Sequence, residues 1–313
     1  MVRSEQKEVI KTGLPVRLLV FLVKFFPPPI VFAVSFLIAF FYWLGAFRQR
    51  SFIREFQKNV RNCGGDIKRI NTFKTIFSFA LSLVEKTKSW VYAEKNPVPV
   101  SFCNDDIQSL SKSLAEKKGA VLVMNHLGNM DLIRSLAVYG NANSSPITVT
   151  AIRELKATSA FDYTINSVNG NMLMHALDAD NIGMETLELL QERIDSGGLV
   201  VIAGDRSSRS TPDRNVTLTF MKKNAVFPTG CYAVASLLKT DIYYMTAVRE
   251  KTLMVHPKYN IFVKKCSVDL RCPKKLREER YAKCAEEFAL FLENYAKMYP
   301  FQWYNFFTFW EGK

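Results

Sequence analysis

Ala120-Val121-Leu122-Val123-Met124-Asn125-His126-Leu127-Gly128-Asn129-Met130-Asp131 decides how this chain is read. Its first five residues are a continuous apolar run of buried-strand length. Residues 131–139 (DLIRSLAVY) then repeat apolar side chains at helical spacing behind an aspartate. His126 therefore falls in a strand-to-helix loop. Outward from this point the chain alternates. Residues 147–152, 199–203, 242–248 and 261–264 read as strands, and residues 106–117, 183–195, 229–238 and 273–298 as helices. The pattern predicts an α/β sandwich in which a central mixed, mostly parallel sheet is flanked by helices. No internal repeat or low-complexity tract interrupts it.

Within one regular helix His126 and Asp131 would point roughly 140° apart and could not share a proton. A loop followed by a helix start removes that objection. With Gly128 allowing a tight bend, Asp131 is expected to fold back onto one imidazole nitrogen, leaving the other as a general base. The amides after Gly128 are expected to stabilise an oxyanion. The chain has no Gly-x-Ser-x-Gly elbow and no cysteine near His126 in sequence. A base and an orienter without their own nucleophile suit direct transfer to a substrate hydroxyl or amine.

Gly204-Asp205-Arg206 follows a buried-type strand, where α/β proteins expose ligand groups. Arg206 and Arg209 are candidates for holding phosphates or an anionic headgroup, because a planar guanidinium binds such groups in a bidentate way. Arg153, just after residues 147–152, is a similar candidate. Asn125 and Gly128 beside His126, with Gly204 and Asp205, complete the substrate-binding set. Phe220, Phe227 and Pro228 are candidates for an apolar groove. Residues 301–310 carry seven aromatics in ten positions, suited to a membrane-interface rim, an acyl-pocket wall or packing on the sheet.

The N-terminus divides from the rest. Residues 30–47 (IVFAVSFLIAFFYWLGAF) are uncharged, follow Pro27-Pro28-Pro29, and reach roughly 27 Å as a helix, barely enough to span a hydrocarbon core. The run is too long for a signal peptide and no small-residue cleavage site precedes Arg48-Gln49-Arg50. We expect residues 1–50 to form a retained membrane-anchoring segment, spanning or hairpin, with a buried core helix as the alternative. Residues 51–100 would be a helical connector and 101–313 the α/β domain. Arg48, Arg50, Arg54, Lys58 and Arg61 behind the run place the body on the cytoplasmic side.

Composition agrees. Forty-eight per cent hydrophobic residues in 313 supply an ample core, which excludes general disorder. A net charge of +13 admits anionic lipid or nucleic acid as partner. No nucleic-acid-binding module is present, whereas a body tethered beside anionic headgroups gains about 1 kcal/mol per basic residue near the surface. The cysteines at 63, 103, 231, 266, 272 and 284 form no Cys-x-x-Cys pair and have no His-rich partner. No metal site is expected, and the cysteines are read as reduced.

His126-x4-Asp131 resembles the His-x4-Asp/Glu signature of the lysophospholipid acyltransferase superfamily, which includes the late acyltransferases of lipid A synthesis. Further segments resemble its bacterial branch, in the same order: the apolar N-terminus, the strand leading to His126, the stretch from Leu187 through Ser196-Gly197-Gly198 to Gly204-Asp205-Arg206, the Phe227-Pro228-Thr229-Gly230 turn, and Tyr299-Pro300-Phe301-Gln302-Trp303-Tyr304-Asn305-Phe306. The resemblance implies a glycerolipid-acyltransferase-like fold and acyl transfer from acyl carrier protein or acyl-CoA to a lipid, glycolipid or aminolipid acceptor. His126 would be the base and Asp131 its orienter. No resident cofactor is implied, and the location would be the inner membrane. A lipid hydrolase using the same pair on water, and a non-catalytic basic membrane-surface protein, are the alternatives.

Overall fold

The computed structural model describes residues 14–91, 98–104, 106–133, 147–153, 174–179, 182–206 and 213–310. Four helices come first: α1 (Leu14–Phe25), α2 (Pro28–Gly45), α3 (Phe47–Asn62) and α4 (Thr72–Val91). They are followed by β1 (Val100–Phe102), α5 (Asp106–Ala115), β2 (Ala120–Gly128), a 3-10 turn at Met130–Ile133, β3 (Val149–Arg153) and β4 (Met174–Asp178). The remainder comprises α6 (Met184–Asp195), β5 (Leu199–Ala203), β6 (Asn215–Phe220), β7 (Lys223–Pro228), α7 (Gly230–Leu237), β8 (Asp241–Arg249), β9 (Tyr259–Lys265) and α8 (Arg277–Met298).

Among the described residues, seven strands form one sheet in the order β1-β9-β8-β2-β5-β3-β4, and β6 and β7 make a separate antiparallel hairpin. Five neighbours, β8, β2, β5, β3 and β4, run parallel, while β9 is antiparallel to β8 and β1 parallel to β9. The sheet is thus mixed and mostly parallel, as expected. β2 sits at its centre, and its unbroken apolar run has a physical cause. Val121, Val123 and Leu127 enter the core beneath α6, α7 and α8, while Ala120, Leu122 and Met124 enter the core on the α5 face. At about 25 cal/mol per Å² of apolar surface, burial on both faces makes this strand a large contributor to the fold.

β1, β4 and the β6–β7 hairpin lie where no strand was expected. Residues 51–100 were expected to be a helical connector, yet Val100 opens β1, a three-residue edge strand, where a nearby proline costs no ladder bond. The segment expected to be helical after Asp131 is a 3-10 turn as far as Ile133, and the rest of it lies outside the described residues.

α2 buries Val31, Ser35 and Ala39, one residue per turn, against the α4 side. Only 17% of the helix is buried, and Leu37, Ile38, Phe41 and Tyr42 are more than half exposed. A soluble core helix would have these apolar side chains covered. That alternative is therefore corrected: α2 is long and apolar enough to cross a membrane, and its outer face is bare.

Candidate active site

β2 and β8 pair in step from Ala120↔Asp241 to Met124↔Met245, and then the register slips so that Gly128 faces Ala247. Four steps along β2 cover two along β8, so Asn125, His126 and Leu127 bulge out of the ladder. The displaced backbone groups of Leu127 are satisfied by side chains: its N–H donates to Asn125 Oδ1 (3.1 Å) and its carbonyl accepts from Thr246 Oγ1 (3.0 Å). Gly128 closes the bulge at φ +79°, and a Cβ there would lie 1.9 Å from the Ala247 carbonyl oxygen. Only glycine fits.

The C-terminal segment clamps this bulge. Gly128 N donates to Gln302 O (2.8 Å), Tyr304 N donates to His126 O (3.0 Å), and Leu127 and Trp303 form an antiparallel bridge. The Gln302 side chain bonds both backbone groups of Arg249 at the end of β8 (2.8 and 2.9 Å). Residues 302–304 thus clamp the histidine loop through one antiparallel bridge and its two flanking hydrogen bonds.

Asp205 meets His126 from the other side. Gly204 N donates to Met124 O (2.8 Å), extending the β2–β5 ladder by one rung. A side chain at Gly204 would strike Val123 Cγ1 at 2.4 Å and the Phe288 ring at 3.0 Å, so the chain can pass here only as glycine. The next residue points its carboxylate at the bulge. Asp205 Oδ1 lies 2.7 Å from His126 Nδ1, and Oδ2 accepts from His126 N (2.8 Å) and Trp303 Nε1 (3.2 Å). Asp205 is 3% exposed, whereas the His126 side chain is 24% exposed. Burial alone would raise the Asp205 pKa. The charge on His126, its hydrogen bonds and the nearby Arg206 outweigh burial and hold it at about 2. The ionised carboxylate keeps a proton on Nδ1, so the neutral imidazole carries its lone pair on Nε2.

The expected contact between His126 and Asp131 is therefore corrected. Asn129 Oδ1 accepts from Asp131 N (3.1 Å) inside the 3-10 turn, and the Asp131 carboxylate is 2.9 Å from Lys86 Nζ on α4. The bulge swings His126 toward β5, while the turn after Asn129 aims Asp131 at the helical connector. The expected oxyanion donors are also redirected: Gly128 N, Asn129 N and Asp131 N are bonded to Gln302 O, Ala247 O and Asn129 Oδ1.

The other expected site residues fall into three groups. Asn125, Gly128 and Gly204 lie beneath the histidine and shape the loop, and Asn125 is 1% exposed. Arg206 donates to Tyr304 O (3.3 Å) and stacks over Phe307 (5.5 Å), so it also secures the C-terminal segment. Arg153 ends β3 on the same sheet edge, two strands from β2, or roughly 10 Å. Arg209 lies outside the described residues. The aromatic run resolves as packing: Trp303, Phe309 and Trp310 are buried against Phe220, and Phe220 and Phe227 are themselves fully buried. The membrane-rim reading of these residues is corrected accordingly.

Sequence reasoning missed Trp303, Gln302, Thr246 and Lys86 as site residues. The dense aromatic run was the signal for the first two.

His126, Asp205 and Arg153 all sit at the carboxyl ends of parallel strands, the edge where open α/β sheets bind ligands. A single imidazole held by a buried carboxylate can accept a proton from a substrate. The sequence model of one protein family, described as bacterial lipid A biosynthesis acyltransferase, matches residues 18–311. No curated protein matches the chain.

Proposed function

We propose, from the premise that the chain belongs to the family of bacterial lipid A biosynthesis acyltransferases, that it moves a fatty acyl group from a thioester donor to a hydroxyl or amine of a lipid acceptor. Membership of that family makes it an acyltransferase of lipid biosynthesis. In the proposed reaction His126 Nε2 takes the acceptor proton as the acceptor's lone pair attacks the thioester carbonyl. Asp205 holds the ring and stabilises the positive charge it gains. The tetrahedral intermediate collapses, the C–S bond breaks, and the departing thiolate receives the proton from Nε2. General base catalysis of this kind supplies roughly 10²–10⁴-fold.

The observation that carries this reading is the 2.7 Å contact between His126 Nδ1 and the buried Asp205 at the ligand-binding edge of the sheet. Asp131 takes part indirectly, because its ion pair with Lys86 ties the turn after His126 to α4. The donor is acyl carrier protein or acyl-CoA, and the +13 charge favours the acidic carrier protein. The acceptor is a glycolipid or aminolipid. The bare apolar face of α2 and the basic residues of α3 support a seat on the inner membrane with the sheet domain facing the cytoplasm. No resident cofactor is invoked.

The test is comparative lipid mass spectrometry of cells expressing the wild type, His126→Ala or neither, at matched protein levels. A lipid heavier by one acyl group only in the wild type is expected and would identify the acceptor. Free fatty acid released without an acylated product would replace the transferase with a hydrolase. A heavier lipid made equally by the wild type and His126→Ala would remove His126 from the chemistry, and no new lipid in any arm would count against the transferase.

A further inference from the structure

Two cysteines 18 residues apart in sequence meet on the far edge of the sheet. Cys266 immediately follows β9, and its amide donates to Ile242 O (2.9 Å) at the start of β8. Cys284 is fully buried on α8. Their sulfurs are 3.7 Å apart. The mechanism above uses neither. Along β8, Ile242 lies five residues from Ala247 beside the histidine loop, a separation of roughly 17 Å.

The pair is unequal, as a redox pair needs. Cys266 is half-buried and lines a cavity of about 220 Å³ together with Lys265, Ser267, Asp269 and Arg271, which gives a small oxidant access. Cys284 lies behind it, out of reach of solvent. The Tyr244 hydroxyl sits 3.0 Å from Cys266 Sγ and 2.9 Å from the Cys284 carbonyl oxygen, positioned to donate to a thiolate. Glu287 Oε2 lies 3.6 Å from Cys266 Sγ, and its carboxylate is held by Lys264 Nζ (2.9 Å) and by Ser267 N and Oγ (3.0 and 2.9 Å). The hydrogen bond with Cys284 draws the Cys266 pKa down and Tyr244 adds to it, while burial and the Glu287 charge oppose it. The same hydrogen bond, together with burial, pushes the Cys284 thiol up. An accessible, more acidic thiol in front of a buried one matches an attacking and a resolving cysteine.

We propose that Cys266 and Cys284 form a reversible disulfide when the protein meets a hydroperoxide. Cys266 gives up its proton, and the thiolate attacks the terminal oxygen of ROOH. The O–O bond breaks, and the released alkoxide leaves as ROH after taking up that proton. Cys266 is then a sulfenic acid, oxidised by two electrons. The Cys284 sulfur attacks it, the S–S bond forms, the S–O bond breaks, and hydroxide leaves as water with the Cys284 proton. In sum, two thiols and ROOH give one disulfide, ROH and water. The bond draws the sulfurs from 3.7 Å to about 2.05 Å. It would staple β9 to α8 one turn before Phe288, the ring that packs against Gly204.

The experiment treats the full-length protein in detergent with hydrogen peroxide, alkylates it, and maps the peptides by mass spectrometry. The expected product joins the peptides of Cys266 and Cys284 with loss of two hydrogens, is split by dithiothreitol, and leaves Cys63, Cys103 and Cys272 alkylated. In Cys284→Ser, Cys266 should instead give a stable dimedone adduct. Wild-type Cys266 trapped by dimedone as readily as in that variant would overturn the proposal. So would a link to Cys231, or Cys266 that stays alkylatable after peroxide.

Discussion

Asp205→Asn separates the two carboxylates that compete for the role of orienter. Asparagine has the size of aspartate but offers one acceptor oxygen and one donor nitrogen. Oδ2 of Asp205 is met by two groups that can only donate, His126 N (2.8 Å) and Trp303 Nε1 (3.2 Å). The carboxamide oxygen must therefore take the Oδ2 place, and its NH2 then faces His126 Nδ1 at 2.7 Å. Nδ1 must accept, so the ring proton moves to Nε2, the atom that has to receive the acceptor's proton. The variant loses the base without losing a substrate contact. We expect kcat to fall by about 10²–10⁴, or about 3–5 kcal/mol of transition-state stabilisation, with KM nearly unchanged. Asp131→Asn removes an ion pair that does not touch the imidazole, and should cost at most about tenfold. The assay is thioester-thiol release by purified protein with the acceptor found by lipid mass spectrometry, and His126→Ala sets the floor. Because Asp205 acts through His126, the double variant should be no slower than His126→Ala. Asp205→Asn staying within tenfold of wild type, or Asp131→Asn falling to the floor, would refute the reasoning.

Trp303→Phe keeps most of the packing but removes a donor to a buried carboxylate, so stability should drop by about 1.5–3 kcal/mol in urea titration and kcat by about tenfold. Gly128→Ala places a Cβ against the Ala247 carbonyl at positive φ and should cost about 3 kcal/mol or more in thermal unfolding; Gly45→Ala, with nothing within 4 Å, should leave stability unchanged or slightly raised. Glu85→Gln takes the charge from the partner of Arg249 (3.0 Å), which is fully buried, and should destabilise by about 3–5 kcal/mol by urea titration. In acid, Asp205 contributes stability that is fully present above its ordinary value of 3.8 and is lost as the pH falls through its folded value of about 2. Fluorescence-detected unfolding should show on the order of 2 kcal/mol more loss between pH 4 and 2 in the wild type than in Asp205→Asn.

What could be read from the sequence, and what could not, follows from the range of the interactions involved. β2, β5, β8 and β9 were legible because their apolar runs record burial, a property each strand carries in its own residues. The β6–β7 hairpin was not. Its two-residue turn, Met221-Lys222, holds φ at 52° and 62°, a geometry usually marked by Asn-Gly, so the residues that signal such a turn are missing. The histidine was legible as a loop residue after a buried strand, but its partner was not. The five-residue spacing to Asp131 was the only pairing that a linear reading could weigh, whereas Asp205 lies 79 residues away and is brought to His126 by one extra rung between β2 and β5. The bulge decides between them. Had β2 kept its register with β8, Gly128 would face Arg249 instead of Ala247, and His126 would sit in the ladder with its side chain committed to one face of the sheet. Two surplus residues free it, and the Gln302–Tyr304 segment then fixes where it goes. The C-terminal segment bridged to the histidine loop is therefore as much a part of the candidate site as the motif that first marked it.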